Sequence, residues 1–146
     1  MIQWHLASSH EYDKRKGHDL TMAVSLPAIA QALRQVQAQI RWKPGKAHKH
    51  LSKRKDQGHL PPQATLAEYE AIIQAVVRHP EALIYVYRYG STDYPTVVAS
   101  CEGQIWLVMF GLDGVMETAF PPGEPDTYFD RDPRYIPVGS IERLTI

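Results

Sequence analysis

The feature of this sequence that most constrains its fold is a change in hydrophobic period near Pro80. Before Pro80, apolar residues recur at intervals of three and four over residues 25–40 and 65–77, the spacing of one buried helix face. After Pro80, apolar and polar residues alternate in short runs rich in branched and aromatic side chains, as in ALIYVYRYG. Helices grouped before strands, rather than alternating with them, predict an α+β fold.

Capping and breaking residues predict where the helices begin and end. Ser25 is a favourable N-cap residue, Pro27 fits a first helical turn, and the tetrapeptide KPGK is expected to end the first helix. Thr65 and Glu68 have the spacing of a capping box, in which each side chain accepts a hydrogen bond from the other residue's backbone N–H. Between these helices, HKHLSKRK is long enough for about two helical turns, and DQGHLPPQ is expected to end them.

The second half of the chain predicts four strands joined by short turns. The strands are ALIYVYRYG, PTVVAS, GQIWLVMFG and GVMETAF, and CEG and LDG are hairpin turns with glycine where positive φ is needed. We therefore expect a single domain, 1–146, in which N-terminal helices pack on a four-stranded antiparallel meander sheet. It would comprise a lead-in and first helix (1–45, with a short strand or loop over residues 1–24), a core (46–122) and a C-terminal tail (123–146). The run PVGSIERLTI in this tail also has the composition of a strand.

Composition excludes several classes of protein. The fractions of apolar and charged residues, 44% and 22%, are those of an ordinary globular domain, and the single cysteine, Cys101, allows no intrachain disulfide. No apolar run approaches the roughly 20 residues of a membrane span, and the N-terminus lacks the layout of a signal peptide. His48 and His50 have no partner carboxylate at the spacing of metal ligands. We therefore expect no metal, no cofactor and no membrane association.

Charge is unevenly distributed although the chain has no net charge. Between Arg41 and His59 there are seven Lys or Arg and one acid, whereas between Asp113 and Asp132 there are six acids and one Arg. The first of these segments suits a polyanionic partner, and the second is a separate acidic region.

The basic segment contains a helix face that suits RNA cleavage. If HLSKR is helical, His50, Lys53 and Arg54 fall at i, i+3 and i+4 and share one face. Cleaving RNA without a metal requires a base for the 2′-hydroxyl proton, an acid for the leaving 5′-oxygen and positive charge near the phosphorane. Histidine titrates near neutral pH, and lysine or arginine supplies the charge. The cations are also expected to lower the pKa of His50, which favours the neutral imidazole.

Further residues extend this candidate site. Lys49 and His59 are candidate substrate-binding residues of the basic segment, and Thr118 joins the site if its face of the sheet meets the basic helix. Tyr87 and Arg88, on the first strand, are candidates for contacts with phosphates or bases. A run of Lys and Arg is also typical of a solvated helix face, and a strand threonine of simple β-propensity, so both structural alternatives stay open.

Three short motifs, in order, resemble the barnase–EndoU–colicin–RelE nuclease superfamily, and most closely its phage-type and polymorphic-toxin branch. That branch has a histidine- and lysine-containing segment before a glycine-containing break, a helix that starts T/S-x-x-E-Y, and a strand that reads roughly D-G-x-I-x-T-F-F-x-P. The matching segments here are HLSKR (50–54), TLAEY (65–69) and DGVMETAFPP (113–122). The resemblance covers residues 46–122, a little over half of the chain.

The resemblance implies a metal-independent endoribonuclease, often a toxin that cleaves tRNA or mRNA, with a helix pair packed on a four-stranded antiparallel sheet. It implies that His50 is the acid and base, that Lys53 and Arg54 contact the scissile phosphate, and that Thr118 hydrogen-bonds to phosphate. Together with the charge distribution, it implies an acidic immunity protein or antitoxin as partner. The expected place of action is the cytoplasm, after delivery as a secreted effector domain if the chain is such a toxin. The alternative is a non-catalytic RNA- or protein-binding domain of a phage or secretion system.

One position departs from the family pattern. Arg54 stands where the resemblance prefers a second histidine, and a guanidinium stays protonated in proteins. Either His50 performs both proton transfers, or His59 folds back to supply the second imidazole.

Overall fold

The α+β class predicted from the sequence is confirmed, because three helices precede an antiparallel sheet. The computed structural model describes residues 24–144, so the strand or loop expected over residues 1–24 lies, except for Val24, outside the described residues. The elements are α1 (Leu26–Ala38), α2 (Lys46–Asp56), α3 (Leu66–Val77), β1 (Leu83–Tyr89), β2 (Thr92–Cys101), β3 (Gln104–Phe110), β4 (Met116–Phe120), the one-turn α4 (Pro125–Tyr128), β5 (Tyr135–Ser140) and a 3₁₀ turn (Ile141–Leu144).

The sheet has five strands rather than the four predicted. Strands β1 to β4 form the expected meander, and β5 returns to pair with β1, which gives the antiparallel order β4-β3-β2-β1-β5. The additional strand comes from the run PVGSIERLTI together with Tyr135 and Ile136 before it. Its pairing satisfies the backbone groups of β1, which would otherwise be exposed along an edge.

The two faces of the sheet are covered by different parts of the chain. Helices α1 and α3 enclose the main core on one face, and Phe129 and Tyr135 of the C-terminal segment pack on the other. The basic helix α2 contacts α3 and β4, so it lies at the β4 edge of the sheet rather than over its centre. Within residues 24–144, no helix is long and apolar enough to cross a membrane.

The predicted helix starts are confirmed. The Ser25 side chain accepts a hydrogen bond from the Ala28 N–H at 3.2 Å. At the start of α3 both bonds of the capping box are present, with the Thr65 N–H donating to the Glu68 carboxylate at 2.8 Å and the Glu68 N–H donating to the Thr65 hydroxyl at 3.1 Å.

Helix α1 ends earlier than predicted, at Ala38 rather than at the KPGK sequence. Gln39 is already extended, with φ −162° and ψ 131°. Its extended backbone leads to Arg41, which forms an isolated parallel bridge with Val115, and the Arg41 carbonyl accepts from the Met116 N–H at 2.8 Å. Tertiary pairing with the edge of the sheet thus overrides the local helical preference.

Helix α2 forms where it was predicted but is longer than the expected two turns, with 11 residues, and it buries little apolar surface. Leu51 and Arg54 are its buried residues. Lys53, Arg54 and Lys55 lie in the last turn, where cations interact favourably with the negative end of the helix dipole. Leu51 is the one aliphatic side chain that α2 buries, and Arg54 and His50 add contacts with the rings of Phe120 and Trp42.

Candidate functional site

A cavity of about 570 Å³ opens between α2 and the edge strand β4. This volume falls within the range of about 300–1,000 Å³ that is usual for small-molecule sites. The predicted residues His50, Lys53, Arg54 and Thr118 all line it. The remaining lining residues are Lys43, Lys46, Gln57, Met116, Glu117 and Phe120.

The edge of β4 is fixed by two hydrogen bonds from outside the sheet. Near its start the Met116 N–H donates to the Arg41 carbonyl, and near its end the buried Tyr69 hydroxyl donates to the Ala119 carbonyl at 2.6 Å. Tyr69 belongs to α3 and is fully buried. The strand that forms one wall of the cavity is therefore held in place by the loop before α2 and by α3.

Arg54 is a buried cation at this cavity. Its side chain is 2% exposed, and its Cζ lies 5.4 Å from the centroid of the Phe120 ring, at the distance of a cation–π contact. Its Nε is buried without a hydrogen-bond partner, and no carboxylate within residues 24–144 forms an ion pair with it. Burial lowers the pKa of the guanidinium. A buried charge without a counter-charge is costly, so this position favours a bound anion.

His50 lies one helical turn before Arg54 and is half-buried. Its Nδ1 is buried without a hydrogen-bond partner, and the residue lines the cavity. Burial lowers the pKa of His50, and the positive charges of Arg54 and Lys53 lower it further, while Glu117 opposes the shift. A lowered pKa favours the neutral imidazole, which is the form that accepts a proton.

Charged side chains from three parts of the chain line the cavity. Lys43, Lys46 and Lys53 are exposed cations, and Glu117 is a carboxylate whose oxygen lies 3.9 Å from the Lys43 ammonium. Both Lys43 and Glu117 are substantially exposed, so this ion pair contributes little to stability. Sequence reasoning missed Lys43, Lys46 and Glu117 as site residues. The signal that could have found Glu117 is its position directly before Thr118, on the strand that was already expected to meet the basic helix.

Thr118 reaches the cavity through an irregularity in β4. The pairing register shifts between Met109 and Phe110 of β3, so that Phe110 pairs with Met116 and Met109 pairs with Thr118. The extra residue, Glu117, is accommodated as in a β-bulge, a common device at sheet edges next to active sites. Strict alternation along the strand is interrupted there, and Glu117 and Thr118 both line the cavity.

Four predicted binding residues lie outside the lining of the cavity. Lys49 is exposed on α2, and His59 lies beyond the helix, where burial and then the charge of Arg54 lower its pKa. Tyr87 and Arg88 are on β1, which β2 and β3 separate from β4 by about 14 Å. Arg88 forms a two-point contact with Asp93 at 2.7 and 2.9 Å. Their proposed roles in substrate binding stay predictions.

The cavity thus combines an imidazole with a lowered pKa, a buried guanidinium, three lysines and one carboxylate. Such a set can bind a phosphate and move a proton beside it. Within the described residues, no group of three or more His, Cys, Asp and Glu side chains is arranged to hold a metal ion. A scan against protein-family models, a search of curated proteins and a search of solved structures each found no match to this chain.

Proposed function

We propose that this protein is an endoribonuclease that cleaves RNA by attack of a 2′-hydroxyl on the adjacent phosphate, without a metal ion. The observation that carries the proposal is the buried Arg54 guanidinium, which has no ion-pair partner within residues 24–144 and lines the same cavity as His50. A buried guanidinium without a counter-charge favours a bound anion such as phosphate, and the imidazole supplies the proton acceptor that this reaction requires. The motif resemblance noted in the sequence supports the same activity and would make a toxin the biological context.

The proposed reaction assigns roles to four side chains. His50 Nε2 accepts the 2′-hydroxyl proton as the 2′-oxygen bonds to phosphorus and the bond from phosphorus to the 5′-oxygen breaks. The imidazolium so formed gives its proton to the leaving 5′-oxygen, so one histidine serves both transfers. Arg54 and Lys53 balance the charge of the phosphorane, which grows as the 2′-oxygen attacks. Glu117 stabilises the transient imidazolium, in keeping with its opposing effect on the pKa of His50.

The direct test is incubation of the purified protein with total RNA in excess EDTA. We expect cleavage, with products that end in a 2′,3′-cyclic phosphate on one side and a 5′-hydroxyl on the other. Salt-sensitive binding of RNA without cleavage would instead support a non-catalytic RNA-binding domain. Products with 5′-phosphate ends would contradict attack by the 2′-hydroxyl.

The pH dependence of cleavage provides a second prediction. Because the folded protein lowers the pKa of His50 below 6.5, kcat/KM should rise with pH along a limb centred below 6.5 and then level off. Removing one cation that lowers this pKa, in Lys53→Met, should move the limb to higher pH. Lys49→Met, which removes an exposed cation of the same helix outside the cavity, should leave the limb in place. Equal shifts in both variants would contradict the local origin of the effect.

A further inference from the structure

Trp42 lies against His50 and links it to a neighbouring helix. The centroids of the indole and imidazole rings are 5.4 Å apart, and the two ring planes meet at 30°. The indole Nε1 donates to Glu70 Oε2 at 2.9 Å, and the indole also lies 5.9 Å, between ring centroids, from Tyr69. Glu70 and Tyr69 belong to α3, so Trp42 connects the imidazole of α2 to a helix that packs on the sheet.

The imidazole of His50 lacks the usual means of orientation. A functional histidine is normally fixed by a hydrogen bond from its second ring nitrogen to a carbonyl or carboxylate. The Nδ1 of His50 is buried and has no such partner. Its helix adds little restraint, because Leu51 and Arg54 are the residues that α2 buries. Among the described residues, Trp42 is the aromatic side chain that stacks on the imidazole.

We propose that Trp42 is a positioning residue for His50: its indole, held by the carboxylate of Glu70, fixes the plane of the imidazole and directs Nε2 into the cavity. Trp42 itself does not line the cavity, so it acts through His50 and not on the substrate. The consequence for catalysis rests on the proposed ribonuclease activity. The consequence for the geometry and titration of His50 does not, and it can be measured without RNA.

Glu70 offers a matched pair of variants that tests this arrangement without removing the indole. Glu70→Gln keeps a side-chain oxygen that can accept the indole N–H, whereas Glu70→Leu removes the acceptor at similar volume. Trp42→Phe retains an aromatic face toward the imidazole, and Trp42→Leu does not. The charged groups that act on His50, namely Lys46, Lys53, Arg54 and Glu117, are the same in all four variants.

The experiment is NMR titration of the His50 ring signals in the wild type and the four variants, with RNA cleavage measured in parallel. In the wild type we expect a ring-current shift of the His50 signals and a titration midpoint below that of an exposed histidine. Trp42→Leu should abolish the ring-current shift and move the midpoint upward, because the ring becomes solvated. Glu70→Gln should stay close to the wild type. Trp42→Phe keeps an aromatic face but loses the hydrogen bond to Glu70, so it should behave like Glu70→Leu, and both should move toward Trp42→Leu.

RNA cleavage by the four variants should follow the same pattern as the His50 signals. Trp42→Leu and Glu70→Leu should lower kcat by about 10-fold or more with KM changed less than about 2-fold, since the groups that bind phosphate remain. Identical His50 signals in Trp42→Leu and the wild type would overturn the proposal, as would equal behaviour of Glu70→Gln and Glu70→Leu. If no variant, nor the wild type, cleaves RNA, the NMR comparison still decides whether Trp42 positions His50, and the failure belongs to the proposed activity. If Trp42→Leu does not fold, the Glu70 pair decides.

Discussion

Replacing His50 by alanine should abolish most of the RNA cleavage while leaving the fold intact. The imidazole is the one group of the proposed site that accepts and then donates a proton, and general acid–base catalysis by a positioned side chain contributes about 100- to 10,000-fold. We therefore expect kcat/KM to fall by at least about 100-fold in EDTA, measured on a defined RNA with the ends of the products identified. Because His50 is half-buried and its Nδ1 has no partner, its removal should cost little stability.

His48→Ala is the matched control for this experiment. His48 belongs to the same helix, is exposed and does not line the cavity, so its loss should leave cleavage unchanged. Glu117→Gln provides a second comparison, because Glu117 is the carboxylate of the cavity and could itself accept the 2′-hydroxyl proton. We expect a loss of less than about 10-fold for Glu117→Gln if the carboxylate acts by stabilising the imidazolium. Undiminished cleavage by His50→Ala, or a larger loss in Glu117→Gln than in His50→Ala, would remove His50 from the role of base.

The features of the fold that the sequence predicts correctly are those encoded within one or two helical turns. The Ser25 cap, the Thr65 capping box and the His50/Lys53/Arg54 face all depend on spacings of three or four residues, and all three are present. A helix imposes these spacings whatever it packs against, which is why local reasoning suffices there.

The features that local reasoning misses depend on pairing between distant segments. The early end of α1 follows from the bridge between Arg41 and Val115, and the approach of Glu117 to the cavity follows from the register shift in β4. The fold class can still be predicted correctly, because the hydrophobic period distinguishes helices from strands. It does not specify which strand lies at which edge of the sheet.

Residue type alone also does not indicate that a charged side chain is buried. Arg54 looks like one more member of a solvated basic run, and yet it is among the least exposed side chains of α2 while Lys53 beside it is exposed. Its burial follows from helix phase. Arg54 lies three residues after Leu51, on the side of α2 that is buried, and there it reaches the Phe120 ring. The difference in exposure between neighbouring cations is what separates a candidate anion site from a solvated face.

Arg54→Met should make the free protein more stable while it removes activity. Methionine keeps an unbranched apolar side chain in the same space but removes a buried charge whose Nε has no partner. Replacing buried charges by apolar residues of similar volume is often neutral or stabilising. Against this gain stands the lost cation–π contact with Phe120, so we expect the free energy of unfolding to rise by about 1 kcal/mol in urea denaturation. A fall of more than about 2 kcal/mol would mean that the guanidinium is part of the structural framework.

The change in Tm on adding inorganic phosphate should distinguish the wild type from Arg54→Met more clearly than the free energy of unfolding does. A ligand that binds the folded state raises its stability by RT ln(1 + [L]/Kd), so an anion at Arg54 should raise the Tm of the wild type and leave that of Arg54→Met unchanged. Arg54→Lys keeps the charge but loses the planar fork that matches phosphate, and it should recover part of the Tm response and little of the cleavage. Cleavage by Arg54→Met should fall at least about 100-fold, the scale on which one positioned electrostatic donor acts on a transition state. Retention of both cleavage and the phosphate response in Arg54→Met would show that the exposed lysines, and not the buried guanidinium, bind the anion.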